Sequence, residues 1–204
     1  MITSLLFLAK GILIGLIFGI PVGAVGTMTI SRTLDRGVKA GLITGLGSSV
    51  ADCIYASVGA FGLTFISDFL LQYQTVINLC GGTLVIFMGI TTILKKAPQK
   101  SEKVSIAATR MFLSSFAVGI TNPAAILTFL FAFSYFDLSA GMNLPNGIFL
   151  VMGVLLGTFL WWIALSLLAS KFRQKALQNR RLVNSILGGL LALFGIIIIL
   201  KTVL

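Results

Sequence analysis

The sequence contains no histidine and only five acidic residues among its 204 positions. Without histidine, the chain lacks the commonest metal ligand and the one side chain that titrates near neutrality when unperturbed. Its two cysteines, Cys53 and Cys80, cannot build a structural zinc site by themselves. Charged residues make up 10% of the chain, whereas a soluble domain contains about a quarter. These absences exclude metalloenzymes, histidine-dependent hydrolases and a water-soluble fold.

Apolar residues fill the sequence instead, since 57% of the positions are hydrophobic and the mean hydropathy is +1.08. A helix of about 20 apolar residues crosses a bilayer core, and stretches of that length follow one another along the chain. They cover residues 5–30, 41–66, 76–94, 111–136, 147–169 and 183–204. The sequence therefore predicts an all-α polytopic membrane protein with six transmembrane helices, embedded in a lipid bilayer.

The net charge of +10 would suggest a nucleic-acid partner in a soluble domain, but here the basic residues lie in three short connections. The connections after the second and fourth stretches contain none. Because basic residues mark cytoplasmic loops, both termini are predicted to lie outside the cytoplasm, and no nucleic-acid partner is expected. The basic connections contain Arg32, Arg36, Lys39, Lys95, Lys96, Lys100, Lys103, Arg110, Lys171, Arg173, Lys175, Arg180 and Arg181.

Two segments of the first half recur in the second half. Residues 18–21, Phe-Gly-Ile-Pro, are matched by Val-Gly-Ile-Thr-Asn-Pro at 118–123, and residues 81–87 are matched by 188–194. Three helices per half would make the second half enter the membrane in the opposite sense, as in the inverted repeats of secondary transporters. We predict a first three-helix repeat over 1–95, a basic cytoplasmic linker over 96–110, and a second three-helix repeat over 111–204.

A proline lies in the middle of the first stretch and another in the fourth. Pro21 is followed by Gly23 and Gly26, and Pro123 is preceded by Asn122. Proline removes a backbone hydrogen bond, and polar groups freed in lipid need protein, water or a ligand as partner. We predict that helices 1 and 4 are broken here, that the positive ends of the half-helices hold a carboxylate, and that these five residues bind substrate. Two kinks filled by neighbouring hydroxyls are the alternative.

Small residues recur at every fourth position in the first two apolar stretches, where they predict close approach of helix backbones. Such faces, or helices 3 and 6, are also compatible with a homodimer. The positions are Gly11, Gly15, Gly19 and Gly23, and then Gly37, Gly41, Gly45 and Ser49.

Asp52 lies near the centre of the second stretch, where an ionised carboxylate costs at least roughly 2.5 kcal/mol. Thr44, Ser48 and Tyr55 share its face at helical spacing. We predict that this polar stripe lines a cavity, that Asp52 and Tyr55 contact the substrate, and that Asp52 carries the coupled proton. An aspartate that only pins helix 2 to a neighbour by hydrogen bonds is the alternative.

These features together resemble the lysine-exporter (LysE) family of bacterial amino-acid efflux proteins, over essentially the whole chain. The resemblance rests on Gly-Ile-Pro-Val-Gly-Ala-Val-Gly at 19–26, Arg-Thr-Leu at 32–34, a glycine-studded helix 2 with its aspartate, and Asn-Pro at 122–123. It implies export of amino acids across a bacterial inner membrane, driven by the proton gradient, without a cofactor or enzymatic step. It also implies a functional core of Pro21, Gly23, Asp52, Asn122 and Pro123. The family usually has a second proline where this chain has Ala24.

Two other classes share parts of this pattern. Membrane thiol oxidoreductases place a cysteine beside the proline of both symmetry-related helices, but Ile20 and Asn122 occupy those positions here. Six spans and a buried aspartate would suit a metal-cation efflux protein, although one aspartate and two scattered cysteines supply few ligands for a metal ion.

We expect Cys53 and Cys80 to be buried packing residues.

Overall fold

The structure of the chain, a computed structural model, describes residues 2–19, 23–61, 72–94, 108–122, 125, 129 and 143–203. Within these ranges the secondary structure is helical throughout, which confirms the predicted all-α class. The helices are α1 (Ile2–Phe18), α2 (Ala24–Arg36), α3 (Val38–Phe61), α4 (Gln74–Ile93), α5 (Ala108–Ile120), α6 (Leu144–Lys171), α7 (Arg173–Gln178) and α8 (Arg180–Val203).

Four of the helices in the described ranges are long and apolar enough to cross a membrane. They are α3, α4, α6 and residues Arg181–Val203 of α8, which correspond to the second, third, fifth and sixth predicted stretches. The apolar parts of α1 and α5 are shorter, at Thr3–Ile17 and Ala108–Ile120. The first predicted stretch is thus divided between α1 and α2, and only the beginning of the fourth is described.

The helices pack in a defined order around α3. This helix contacts α2, α5 and α6, while α1 packs along α6 and α4 packs along α8. One buried apolar cluster joins α1, α3 and α6 through Ile14, Ala56 and Leu150. A second joins α2, α4, α5 and α8 through Met28, Val85, Val118 and Leu191. The two parts of the first predicted stretch therefore belong to different apolar clusters.

The glycines of α1 bring its backbone against α6. A Cβ atom on Gly11 would lie 2.9 Å from the Cα of Gly153, and one on Gly15 would lie 3.0 Å from the Cα of Gly157. Distances this short leave no room for a side chain, so close packing of small residues holds the two helices together. The glycines of α1 therefore pack on α6, and Gly41 and Gly45 of α3 also face α6, at Ser166 and Trp162.

The expectation that both cysteines are buried is wrong for Cys80, which is exposed on α4. Cys53 is half-buried, with its Sγ 3.9 Å from the carbonyl oxygen of Val151. An apolar stretch of a membrane protein has a side that faces lipid, so apolar surroundings in sequence do not imply contact with protein. Phe87, two turns further along α4, is likewise 64% exposed.

Candidate functional site

The first candidate feature is the interval between α1 and α2. The backbone N–H of Gly19 still donates to the carbonyl of Gly15 at 2.9 Å, in the helical pattern. Gly23 then precedes the first residue of α2 with φ of 148°, a conformation that glycine adopts far more readily than other residues. A new helix therefore begins within the first apolar stretch, and Gly23 is the residue directly before it.

The beginning of α2 presents backbone donors. The N–H of Thr27 donates to the Gly23 carbonyl at 3.1 Å, so the N–H groups of the residues between them have no carbonyl within the helix. Within the described part of the chain, no side chain caps this end, and Gly26 in the first turn is buried. The positive end of a helix with open N–H groups favours an anionic group.

The second candidate feature is the end of α5 at Ile120. In a continuous helix the carbonyl of Gly119 would accept from residue 123, but Pro123 has no N–H. The N–H of Asn122 donates to Gly119 instead, at 3.1 Å. The hydroxyl of Tyr55 on α3 donates to the carbonyl of Ile120 and lies 3.4 Å from that of Gly119. A phenol from α3 therefore satisfies the carbonyl end of α5.

Tyr55 and Asp52 are held close to this end by the packing of α3 on α5. A Cβ atom on Gly119 would lie 3.0 Å from the Cβ of Ala51, the residue before Asp52. Tyr55 is 3% exposed, and its ring lies against that of Phe129, with the centroids 6.4 Å apart. Asp52 is half-buried, and among the described residues its carboxylate has neither a hydrogen bond nor an ion pair.

Arg32, at the basic end of the molecule, has contacts that the sequence does not predict. Its Nη1 donates to the Thr44 hydroxyl at 3.1 Å and to the Met111 carbonyl at 2.8 Å, and its Nη2 donates to the Ser114 hydroxyl at 2.7 Å. It therefore joins α2 to both α3 and α5. The sequence signals are its position directly after the first apolar stretch and its place in the Arg-Thr-Leu motif at 32–34.

Burial and the charges of Arg36 and Arg110 lower the pKa of Arg32 to about 10. Arg32 lies beyond the end of the first predicted stretch, so it belongs to the basic end of the molecule rather than to a span. A pKa of this value leaves the guanidinium charged at neutral pH, and the three acceptors it contacts are neutral oxygens.

The structure thus distributes the predicted site residues over two features, of which the end of α5 contacts α3. Gly23 and Gly26 lie at the beginning of α2, while Asn122 lies at the end of α5 near Tyr55 and Asp52. Pro21 and Pro123 lie outside the described residues. The predicted polar stripe is divided, because the Thr44 hydroxyl accepts from Arg32 and the Tyr55 hydroxyl donates to the end of α5.

An all-helical protein with long apolar spans, in which α5 ends beside the stretch of α3 that contains Tyr55 and Asp52, has an organisation known from membrane transporters. Residues 16–202 match the family described as LysE type translocator, and the chain belongs to that family, whose members are transporters and not enzymes. The resemblance seen in the sequence is thereby confirmed.

The individual relatives share low sequence identity with this chain. The threonine efflux proteins of Salmonella typhi and Salmonella typhimurium are each 28% identical over 182 residues, which cover 84% of this chain and 87% of the relative. The uncharacterized membrane protein YahN of Escherichia coli strain K12 is 23% identical over 184 residues, which cover 86% of this chain and 81% of the relative. No solved structure shows a significant match.

Proposed function

We propose that the protein is a secondary-active transporter that exports amino acids, or closely related small metabolites, from the cytoplasm in exchange for protons. The observation that carries this proposal is the end of α5 at Ile120 beside the stretch of α3 that contains Asp52 and Tyr55. Family membership and the similarity to two threonine efflux proteins support it and make threonine the first substrate to test.

The two candidate features suit the two charged groups of an amino acid. The open N–H groups at the beginning of α2, around Gly23 and Gly26, would bind the carboxylate. Asp52 and the carbonyl end of α5 near Asn122 would bind the ammonium group, with Tyr55 fixing those carbonyls in place. We assign Pro21 and Pro123 to the same site from their positions in the sequence.

Asp52 is proposed as the proton-coupling residue because it is the one acidic side chain within the long described spans. An acid without a fixed cation can be neutralised either by a proton or by the substrate ammonium group. Proton and substrate would therefore compete for Asp52, and this competition is the basis of antiport.

The pairing of helices supports a fold of six spans in two inverted repeats, with helices 1 and 4 broken. A pseudo-twofold axis that exchanges the repeats converts the contact of helices 1 and 5 into that of helices 4 and 2, and both contacts occur, as α1 with α6 and α5 with α3. The pairs α4–α8 and α3–α6 would be converted into themselves. In α4–α8, Cβ atoms on Gly89 and Gly195 would each lie 2.6 Å from the carbonyl oxygens of Gly188 and Gly82 respectively.

The proposed orientation places the basic end in the cytoplasm of a bacterial cell and both termini outside it. Basic residues from distant connections gather at this end, since the Nε of Arg173 donates to the carbonyl of Leu34 at 3.2 Å. With Cys53 and Cys80 replaced by alanine, a cysteine at exposed Gln72 should react with an impermeant thiol reagent in whole cells, and one at exposed Gln178 should not. The reverse pattern would contradict the orientation.

The function itself is tested with purified protein in proteoliposomes. Counterflow of each of the twenty amino acids, measured at two pH values, should show exchange of threonine or another small amino acid that an imposed proton gradient drives uphill. The same vesicles loaded with divalent metal ions provide the comparison with metal efflux. Exchange of metal without exchange of any amino acid would overturn the proposal.

A further inference from the structure

Two seams of polar side chains run along the first half of α3, and they differ in how their hydroxyls are bonded. In the seam between α3 and α5, the hydroxyl of fully buried Ser115 donates to the carbonyl of Thr44 at 2.6 Å. The Thr44 hydroxyl donates to Ala40 at 2.8 Å and accepts from Arg32. The hydroxyls of Ser115 and Thr44 therefore have partners, and their hydrogen bonds join α2, α3 and α5 in this seam.

The other seam lies where α3 meets α2 and α6. A Cβ atom on Gly41 of α3 would lie 2.1 Å from the hydroxyl oxygen of Thr33 on α2 and 2.4 Å from that of Ser166 on α6. One turn later, a Cβ atom on Gly45 would lie 2.3 Å from the Cβ of Trp162 on α6. The two glycines therefore allow the three helices to close tightly against one another.

Four polar groups in this second seam are buried without a hydrogen-bond partner among the described residues. They are the hydroxyls of Thr29, Ser49 and Ser166 and the indole N–H of Trp162, whereas the Thr33 hydroxyl donates to the carbonyl of Thr29 at 2.7 Å. The first three side chains are 0% exposed, and Trp162 is 3% exposed. Buried polar groups in native proteins nearly always have a partner, and a cluster without one needs an explanation. Water or a polar ligand entering between the helices would supply the missing partners.

The second seam leads from the basic end of the molecule to the interval between α1 and α2. Gly41 faces Ser166 and Gly45 faces Trp162, so α3 and α6 are antiparallel. In this register Ser49 falls at the level of Thr158 on α6. The Cγ2 of Thr158 would lie 3.0 Å from a Cβ atom on Gly19, at the end of α1. The unpartnered groups are therefore spaced between the basic end and the proposed substrate site.

We propose that the seam of Thr29, Ser49, Trp162 and Ser166 is the closed form of the passage through which a small zwitterionic substrate reaches the site from the basic end. The proposal rests on the proposed transport function. The passage opens when α2 separates from α6, and its hydroxyls and indole N–H then bind water or the polar groups of the substrate. The bonded seam between α3 and α5 stays closed.

Ser166 and Ser115 form a matched pair for testing the passage, because both are fully buried serines and only Ser115 has a bonded hydroxyl. Single cysteines replace each in a background of Cys53→Ala and Cys80→Ala, in inside-out membrane vesicles. A small charged methanethiosulfonate reagent should modify the cysteine at 166 about tenfold faster than that at 115, because water enters only the open passage. Excess threonine should slow the modification at 166 and leave that at 115 unchanged.

Alanine variants give a second readout that does not need an accessible thiol. Ser115→Ala should lower the thermal unfolding midpoint and keep transport per folded molecule, because it removes a bonded hydroxyl. Ser166→Ala should keep the midpoint and lower transport several-fold, because it removes a group used only in the open passage. Equal modification of both cysteines, or equal behaviour of both alanine variants, would overturn the passage, and continued threonine exchange in those proteins would leave the proposed function intact.

Discussion

The interval between α1 and α2 and the end of α5 occupy related places in the two halves of the sequence, but their backbone chemistry is opposite. At the beginning of α2, Gly23 adopts a φ of 148° and the first N–H groups have no side-chain cap within the described chain. At the end of α5, the hydroxyl of Tyr55 donates to the carbonyl of Ile120. Among the described residues, the first feature therefore offers open N–H groups, and the second offers carbonyls, one of which a phenol already bonds.

Under the proposed function, this difference suits an asymmetric substrate. A zwitterion needs donors for its carboxylate and acceptors for its ammonium group, and a site with identical halves would serve one of them poorly. Asp52 increases the asymmetry, because it adds an acidic side chain near the end of α5 and the matching helix, α6, is uncharged from Leu144 to Ser170. Each variant below changes one side of this comparison.

Removal of the acidic group of Asp52, on the α5 side of the comparison, should have the largest effect. Asp52→Asn keeps the size and hydrogen-bonding capacity of the side chain but cannot exchange a proton, so uphill efflux should be abolished while folding is retained. Asp52→Glu keeps the titratable group at a displaced position and should retain partial efflux, because misplacement in a tight site costs about 10²-fold. The measurement is efflux from preloaded cells over a range of external pH, normalised to the amount of protein in the membrane.

A structural role for Asp52 predicts a different result, since the amide of Asn can still bridge helices. Normal pH-dependent efflux by Asp52→Asn would place the coupling acid elsewhere. Efflux that continues only down a concentration gradient would separate substrate binding from proton coupling and keep Asp52 as the coupling residue.

Arg32 connects the two helices that carry these features, because its guanidinium joins α2 to α5 through Met111 and Ser114. Lysine cannot reproduce this fork, so Arg32→Lys should lower the free energy of unfolding by about 3 kcal/mol, the scale of one or two bonds to a charged group. Thermal unfolding of the detergent-purified protein measures this change, with exposed Lys39→Arg as the control. An unchanged midpoint would show that these bonds contribute nothing to the junction.

Loss of the Arg32 bonds should not depend on pH near neutrality. Folding lowers the pKa of Arg32 from 12.5 to about 10, so its protonation state can alter stability only above about pH 10, where stability rises with pH as the folded protein loses the proton first. The difference in midpoint between wild type and Arg32→Lys should therefore be constant between about pH 6 and about pH 8. Any pH dependence of transport in that range must come from another group.

Hydropathy and the positions of glycine and proline predicted much of this fold. Four predicted stretches coincide with long apolar helices, because the need for about 20 apolar residues per span is a property of the chain alone. The glycines around Pro21 predicted a change of backbone near Gly23, where the structure has positive φ. Both signals are local, and so they can be seen without tertiary structure.

Contacts between distant residues could not be predicted in this way. Tyr55 was assigned to a cavity lining, but its hydroxyl bonds the end of a helix 65 positions later in the chain. In the sequence, Arg32 is a basic residue of a connection and of the Arg-Thr-Leu motif, and neither feature predicts its three acceptors. Helical periodicity identifies which residues share a face, but it does not identify the helix that the face meets. The exposure of Cys80 was missed for the same reason.

The donor side of the comparison depends on the backbone at Gly23. Gly23→Ala would strain that backbone, and Gly189→Ala is a matched control because both glycines have open space where a Cβ would lie, while only Gly23 has positive φ. Gly23→Ala should lower the free energy of unfolding by about 2 kcal/mol and reduce efflux, since the N–H groups of α2 would be displaced. Gly189→Ala should raise the stability slightly. Equal midpoints would contradict a strained start of α2.

The smallest effect is expected on the carbonyl side, from Tyr55→Phe. The variant keeps the ring against Phe129 but leaves the carbonyl of Ile120 without its phenol donor, at a cost of about 1 to 2 kcal/mol. Ser57→Ala on the same helix is the control, because the Ser57 hydroxyl bonds the Cys53 carbonyl one turn earlier, and such bonds contribute little to a helix. Thermal unfolding should therefore show a lower midpoint for Tyr55→Phe only.

Substrate affinity should then distinguish a Tyr55 hydroxyl that only bonds the end of α5 from one that binds the substrate. If Tyr55 only fixes the end of α5, the Kd for threonine should rise by the same factor as the Kd for its carboxyl-reduced amino alcohol, because both carry the ammonium group that this end would bind. If the hydroxyl instead contacts the carboxylate, the affinity for threonine alone should fall, and the division into a donor side and an acceptor side would be wrong.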